Sequence, residues 1–237
     1  MNTRASPPPQ RIRRTIDEVD QVFGDSPPPS FPKRKRLTSS GSEVDLFVHQ
    51  SRWKWLDADR MLIRQRQYSA KLVDGGKHVG SFRMNEYHID EYVDSEELFD
   101  HFDQISASLA ELAAVLGGYW DNLFEITELG TVLELERAWV APTDASRERF
   151  QAACGALLKL APKRALLLLK AYPLEYEGKV TAENAISQAR RQRALIRLYR
   201  RSIGAEPLPA PAGEEGWMYL IPERLRTELR QPTPTGY

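Results

Sequence analysis

Glu134 and Glu136, two positions apart in the apolar run Thr131–Val140, form the pair with the best-defined chemistry in this sequence. Side chains alternate along a strand, so both carboxylates face one side. Each then disfavours ionisation of the other, which moves both toward the neutral range where a general base works best. The competing reading is electrostatic pairing with Arg137, or with Arg64 or Arg66 of a neighbouring strand. Arg190, Arg193, Arg197 and Arg201 recur at spacings of three and four and so line one helical face. That face suits a phosphate, a nucleic acid or an acidic partner, and equally a plain solvated surface. Tyr199 stands near the end of the same pattern, where a core aromatic is also at home. Cys154 is the only cysteine, which excludes an intrachain disulfide and a multi-cysteine metal site. It falls on the apolar side of its helix and reads as a small core residue. His49, His78, His88 and His101 show no metal-ligand spacing, so no metal is expected.

These residues need a scaffold, and the sequence outlines one. Val44–Val48 is a short apolar strand candidate, and Arg52–Met61, with Trp53 and Trp55, has no clear assignment. Leu62–Val73 and His78–Tyr87 read as strands joined by Asp74-Gly75-Gly76-Lys77, whose glycines supply the positive φ of a tight hairpin. Ser95–Leu116 reads as one helix, with Leu98, Phe102, Ile105, Leu109, Leu112 and Leu116 on its apolar side, Ser95 as N-cap and Gly117-Gly118 as the stop. Thr131–Val140 is a strand, Ser146–Leu160 a helix, Ala165–Ala171 a buried strand and Thr181–Ser202 a long helix capped by Thr181. Gly216–Ile221 is a last short strand. The order β-β-β-α-β-α-β-α-β predicts an α/β protein in the α+β sense: a mixed, mostly antiparallel sheet flanked by helices.

The 237 residues are 41% hydrophobic and 28% charged, enough for one core plus tails. No apolar run approaches the roughly 20 residues of a membrane helix, and the opening residues lack the apolar centre of a secretory signal. A cytoplasmic address is therefore expected. Residues 1–42 contain seven prolines and eight Lys/Arg against four Asp/Glu, the composition of a disordered basic tail. Within it, Arg13–Phe23 has helical spacing, and Lys33-Arg34-Lys35-Arg36 resembles a phosphate-binding or nuclear-localisation patch. The expected domain is 43–222, with 223–237 as a C-terminal tail.

Three stretches, in order, resemble the GNAT (N-acetyltransferase) superfamily. Ala70–Phe82 resembles its second and third strands, ending in the Val79-Gly80 pair. Leu133–Pro142 resembles its fourth strand and the Val-x-Pro exit. Leu198-Tyr199-Arg200-Arg201-Ser202-Ile203-Gly204-Ala205 resembles the Leu-Tyr-x-x-x-Gly-Phe signature, with a spacer one residue longer and Ala205 in place of Phe. The resemblance implies acetyl-CoA or another acyl-CoA as cofactor, its arm lying along Trp139, Val140 and Ala141. Its pyrophosphate would meet the loop at Ala145, Ser146, Arg147 and Arg149. It further implies Glu134 or Glu136 as base and Tyr199 as acid in direct acyl transfer to an amine of a small molecule or protein. The family's loop glycines are missing here, Asp144 and Glu148 carry opposing charge, and Ser146 or Asp144 serves as readily as a helix cap. The alternative is a GNAT-like fold without catalysis, acting as a protein- or nucleic-acid-binding regulatory module through the basic tail or the helix at 95–116. No membrane contact is expected, and a homodimer is left open.

Overall fold

The structure, a computed structural model, describes residues 33–39, 42–56, 61–120, 122–176 and 178–234. The expected tail up to residue 32, including the helical pattern at Arg13–Phe23, lies outside the described residues. The chain is arranged around a long hairpin. Strand β4 (Ile63–Asp74) and strand β5 (Lys77–Ile89) run antiparallel through the expected turn, where Gly75 has φ +53° and Gly76 φ +80°. Two consecutive positive φ values define the tight turn whose twist matches its strands, and they account for the paired glycines.

Strands β1 (Lys33–Ser39) and β2 (Ser42–Gln50) extend the sheet on the β4 side, and β3 (Lys54–Trp55) pairs with β4 beside β2. Strand β1 corrects the expected boundary of the tail at residue 42. The basic run folds because Leu37 packs against the core and Arg34 and Arg36 pair with Asp45 and Glu43 across the ladder. Strand β3 resolves part of the unassigned Arg52–Met61 segment. There, Arg64 lies 5.8 Å from the Trp53 ring and 5.2 Å from the Trp55 ring, and Arg66 lies 4.5 Å from Trp53. These guanidinium–indole contacts add to the few ladder bonds that hold the two-residue strand.

After β5 come helices α1 (Ser95–Asp103), α2 (Ala107–Tyr119) and α3 (Phe124–Leu129). The single helix expected over 95–116 is thus two. The side chain of Ser106 accepts a hydrogen bond from the Leu109 N–H at 3.3 Å and so starts a new helix, leaving Ile105 exposed. The cap of α1 is Asp94, not Ser95, and α2 runs through Gly117-Gly118 to Tyr119. Strand β6 (Thr131–Val140) matches its expected bounds, followed by α4 (Ser146–Leu158), β7 (Arg164–Lys170), α5 (Ala185–Ile203), β8 (Glu206–Pro207) and β9 (Trp217–Leu220). Helix α5 begins four residues after the expected Thr181 cap, because Asn184 closes a turn by accepting from the Thr181 N–H at 2.8 Å.

Among the described residues the sheet order is β1-β2-β4-β5-β6-β7-β9-β8, with β1 and β8 at its edges, β6–β7 parallel and the other pairs antiparallel. The protein is a mixed α+β fold with a mostly antiparallel sheet flanked by helices. One face, carrying Leu46, Leu72, Met84, Leu133, Leu135 and Leu167, packs on α4 and α5. The other, carrying Ile63, Tyr87, Val132 and Leu168, packs on α1–α3. Period-two alternation divides each strand between these cores. Strand β7 has apolar residues on both faces because helices cover both. Each buried large aliphatic side chain contributes about 1.5–3 kcal/mol. The segment after β9 is docked rather than a free tail: Leu225 and Leu229 are buried, and the Trp120 indole N–H donates to the Arg230 carbonyl at 3.3 Å.

Candidate active site

The antiparallel register sets Asn85 of β5 opposite Glu134 of β6. A bulge follows, since Arg83 pairs with Arg137 while Met84 pairs with Leu135, so Glu136 is the extra residue. The result brings the two glutamates onto one amide. Asn85 Nδ2 donates to Glu134 Oε2 at 2.9 Å and to Glu136 Oε2 at 3.2 Å. The Tyr87 hydroxyl also donates to Glu134 Oε2, at 2.8 Å. Behind them, Gln67 Nε2 donates to Asn85 Oδ1 at 3.2 Å and Gln65 Nε2 to the Tyr87 hydroxyl at 3.3 Å. Three adjacent strands therefore hold Glu134 in a fixed orientation.

The two carboxylates occupy different environments. Glu134 is 8% exposed, and burial pushes its carboxyl above the usual range; the Asn85 and Tyr87 hydrogen bonds oppose that shift and Glu136 adds to it. Burial, then Glu134 itself, pushes the Tyr87 phenol well up, so it remains a donor. Glu136 is half-buried and carries ion pairs with Arg83 at 3.1 Å and Arg137 at 3.8 Å. The expected alternative of pairing thus applies to Glu136, through Arg137 and Arg83. Arg66 instead serves Glu86, a buried carboxylate that also accepts from Tyr68 at 2.6 Å and Thr131 at 2.9 Å on the opposite face of the sheet.

The glutamates flank a break in pairing. The β6–β7 ladder ends at Leu135↔Leu169. Beyond it β6 stays in register with β5 through Val140↔Gly80, and the Ala141 N–H donates to the Val79 carbonyl at 2.8 Å. Strand β7 meanwhile keeps to β9 through Lys170↔Trp217, and the Ala171 N–H donates to the Gly216 carbonyl at 2.8 Å.

The loop after β6 is occupied with its own contacts. The Ser146 hydroxyl shares its one proton between the Ala141 and Thr143 carbonyls at 2.7 and 2.6 Å, and Ala145 is the cap residue of α4, with no side-chain capping bond. Neither Ser146 nor Asp144 therefore caps the helix. Arg149 is buried in an ion pair with Asp74 of the hairpin turn. Arg147 is exposed, between half-buried Ser146 and exposed Glu148. Trp139 is 44% exposed, its ring 5.6 Å from His78, while Val140 and Ala141 are half-buried. In the strand portion of the region, β6 and β7 follow different neighbours beyond Leu135↔Leu169. The loop portion fits a pyrophosphate poorly, because Arg149 is already neutralised and Arg147 is offset by Asp144 and Glu148.

Tyr199 is not brought to the glutamates. It is buried in the α4–α5 core with its ring 5.5 Å from Phe150, on the other face of the sheet, and burial, then Cys154, pushes its phenol up. Cys154 lines a small apolar cavity of about 10 Å³ with Met84, Leu135 and Leu167, and burial pushes its thiol up. Sequence reasoning missed Asn85 and Tyr87. Their polarity in a hairpin strand was the available signal, but the register that sets them against Glu134 was not. Among the described residues no cluster of potential metal ligands occurs, and no helix is long and apolar enough to cross a membrane. Comparison with protein-family profiles, with curated proteins and with solved structures returns no match.

Proposed function

We propose that this chain is an acyl-CoA-dependent N-acyltransferase of GNAT-like organisation, with Glu134 as the general base that deprotonates a primary ammonium. The observation that carries the reading is the end of the β6–β7 ladder at Leu135↔Leu169, directly beside a buried carboxylate with a raised pKa. Backbone beyond a parting of parallel strands suits an extended ligand that hydrogen-bonds as an added strand would. An acyl-CoA thioester would supply the acyl group. Glu134 takes one proton from the ammonium, and Tyr87 and Asn85 hold its Oε2 in place while it does so. The freed amine then forms the carbon–nitrogen bond as the carbon–sulfur bond breaks, and the second proton lost from the nitrogen passes to the departing thiolate, which leaves as the free thiol. Tyr199 has no proton to move in this scheme, so Tyr199→Phe retains kcat.

A second reading is a non-catalytic binding module. The loop favours it, since Arg149 is tied to Asp74 and no glycine allows close backbone approach to a phosphate. Titration with acetyl-CoA, monitored by thermal shift and by thiol release in the presence of a panel of primary amines, separates the two. A ligand at 100 times its Kd adds about 2.7 kcal/mol of apparent stability. An upward shift with Glu134-dependent thiol release supports the enzyme. A flat titration at millimolar acetyl-CoA refutes it and leaves the binding module.

A further inference from the structure

Helix α5 carries Arg190, Arg191, Arg193, Arg197, Arg200 and Arg201 and no Asp or Glu along Ala185–Ile203. All six arginines are exposed, while Leu195, Ile196, Leu198, Tyr199 and Ile203 form the face turned to the core. The nearest acids in sequence, Glu183 and Glu206, lie beyond its two ends. Among the described residues, the ion pair recorded for this helix is Arg191 with Glu175 at 3.7 Å, between side chains 69% and 56% exposed. Like charges three and four residues apart destabilise a helix. The helix dipole offsets this for Arg200 and Arg201 in the last turn, but not for Arg190, Arg193 and Arg197. The basic run of β1 is a contrast, because Arg34 and Arg36 already have Asp45 and Glu43.

We propose that the Arg190–Arg193–Arg197–Arg201 stripe of α5 is a sequence-independent contact surface for the phosphate backbone of a nucleic acid. Every cation is arginine, whose planar fork pairs bidentately with phosphate and carboxylate oxygens alike; two further features favour phosphate over an acidic protein. Within Arg190–Arg201 the exposed positions are the arginines and Ala194; the exposed aliphatic side chain of the helix, Ile186, stands one turn before the stripe, at its end rather than at the centre where a protein interface places its anchor. At a rise of about 1.5 Å per residue it extends for about 16 Å, the length of several nucleotides. Contacts to phosphate position a nucleic acid without reading its bases.

The test is fluorescence anisotropy of the full chain with a labelled 20-mer, as duplex DNA in one arm and single-stranded RNA in the other, across a salt series. Engaging four phosphates gives a log–log salt slope of about −3 to −4. The R190Q/R193Q/R197Q variant, with an unchanged thermal midpoint, should flatten that slope by about 3 and weaken binding more than tenfold at low salt. R193Q alone should flatten it by about 1. Retention in either arm with these losses supports the proposal and identifies the nucleic-acid form. No retention at low salt overturns it, as does a slope the triple variant leaves unchanged. Tighter binding of a labelled polyglutamate of equal charge also overturns it, in favour of an acidic protein partner.

Discussion

Replacing Glu134 by Gln separates function from stability, because the two should move in opposite directions. Glutamine keeps the shape and an acceptor oxygen for the Asn85 amide and the Tyr87 hydroxyl, which donate at 2.9 and 2.8 Å. It removes the base, and a positioned general base contributes about 10²–10⁴-fold, so kcat/KM for an amine acceptor should fall by that factor. That corresponds to about 3–5 kcal/mol of transition-state stabilisation. The folded-state pKa of Glu134 is raised, chiefly by burial. Its contribution to stability is therefore fully present below the unfolded-state carboxyl pKa and is lost as pH rises through the folded-state value. Glutamine escapes that loss, so E134Q should melt at or above the parent near neutral pH and lose the advantage near pH 4. Wild-type kcat/KM should show an acid limb centred above the ordinary carboxylate range, and the variant should lack it. Circular dichroism melts at the two pH values, with thiol release for rate, provide the measurements. An E134Q protein destabilised equally at both pH values, with its rate intact, would show that the carboxylate is only a structural strut.

Other perturbations give equally definite expectations. Glu86→Ala leaves Arg66 uncompensated; breaking such a pair costs about 3 kcal/mol, the low end of the usual range because Arg66 remains 20% exposed. The thermal midpoint should then fall by roughly 6–12 °C, and a drop of less than half that would assign the pair no structural weight. Gly130 has φ +152°, and a Cβ there would overlap the Lys163 carbonyl oxygen, so Gly130→Ala should fail to give a cooperative melt. The buried Cys154 thiol, pushed up by burial, should resist a thiol reagent in the native protein and react stoichiometrically in denaturant; fast native labelling would contradict the packing.

Much of the fold could be read from the sequence where one pattern dominates locally. The bounds of strand β6 are legible because Gly130 and Pro142 punctuate an unbroken β pattern. The hairpin turn is legible because Asp74-Gly75-Gly76-Lys77 separates two strand-like runs, whereas Gly117-Gly118 lies within helix α2. Errors arose where a local capping bond competed with periodicity, as at Ser106, and where folding depends on a distant partner. Lys33–Ser39 reads as a polar tail until the neighbouring strand brings Asp45 and Glu43 within ion-pair reach of Arg34 and Arg36. The site divided in the same way. Spacing alone put Glu134 and Glu136 on one side, but the bulge that makes them share Asn85 depends on strand register. Arg149 looked available for phosphate because its ion pair with Asp74 spans a long stretch of chain.

The border strands bear on self-association. At one margin of the sheet stand four consecutive cations in β1, and at the other a two-residue strand that includes Pro207. Charge at one rim and a missing amide donor at the other both deter a second copy from zipping on. Among the described residues, the helix and loop surfaces are better suited than either rim to meet a second copy. Replacing Lys33–Arg36 with threonines would unlock the first rim and invite fibrous aggregation.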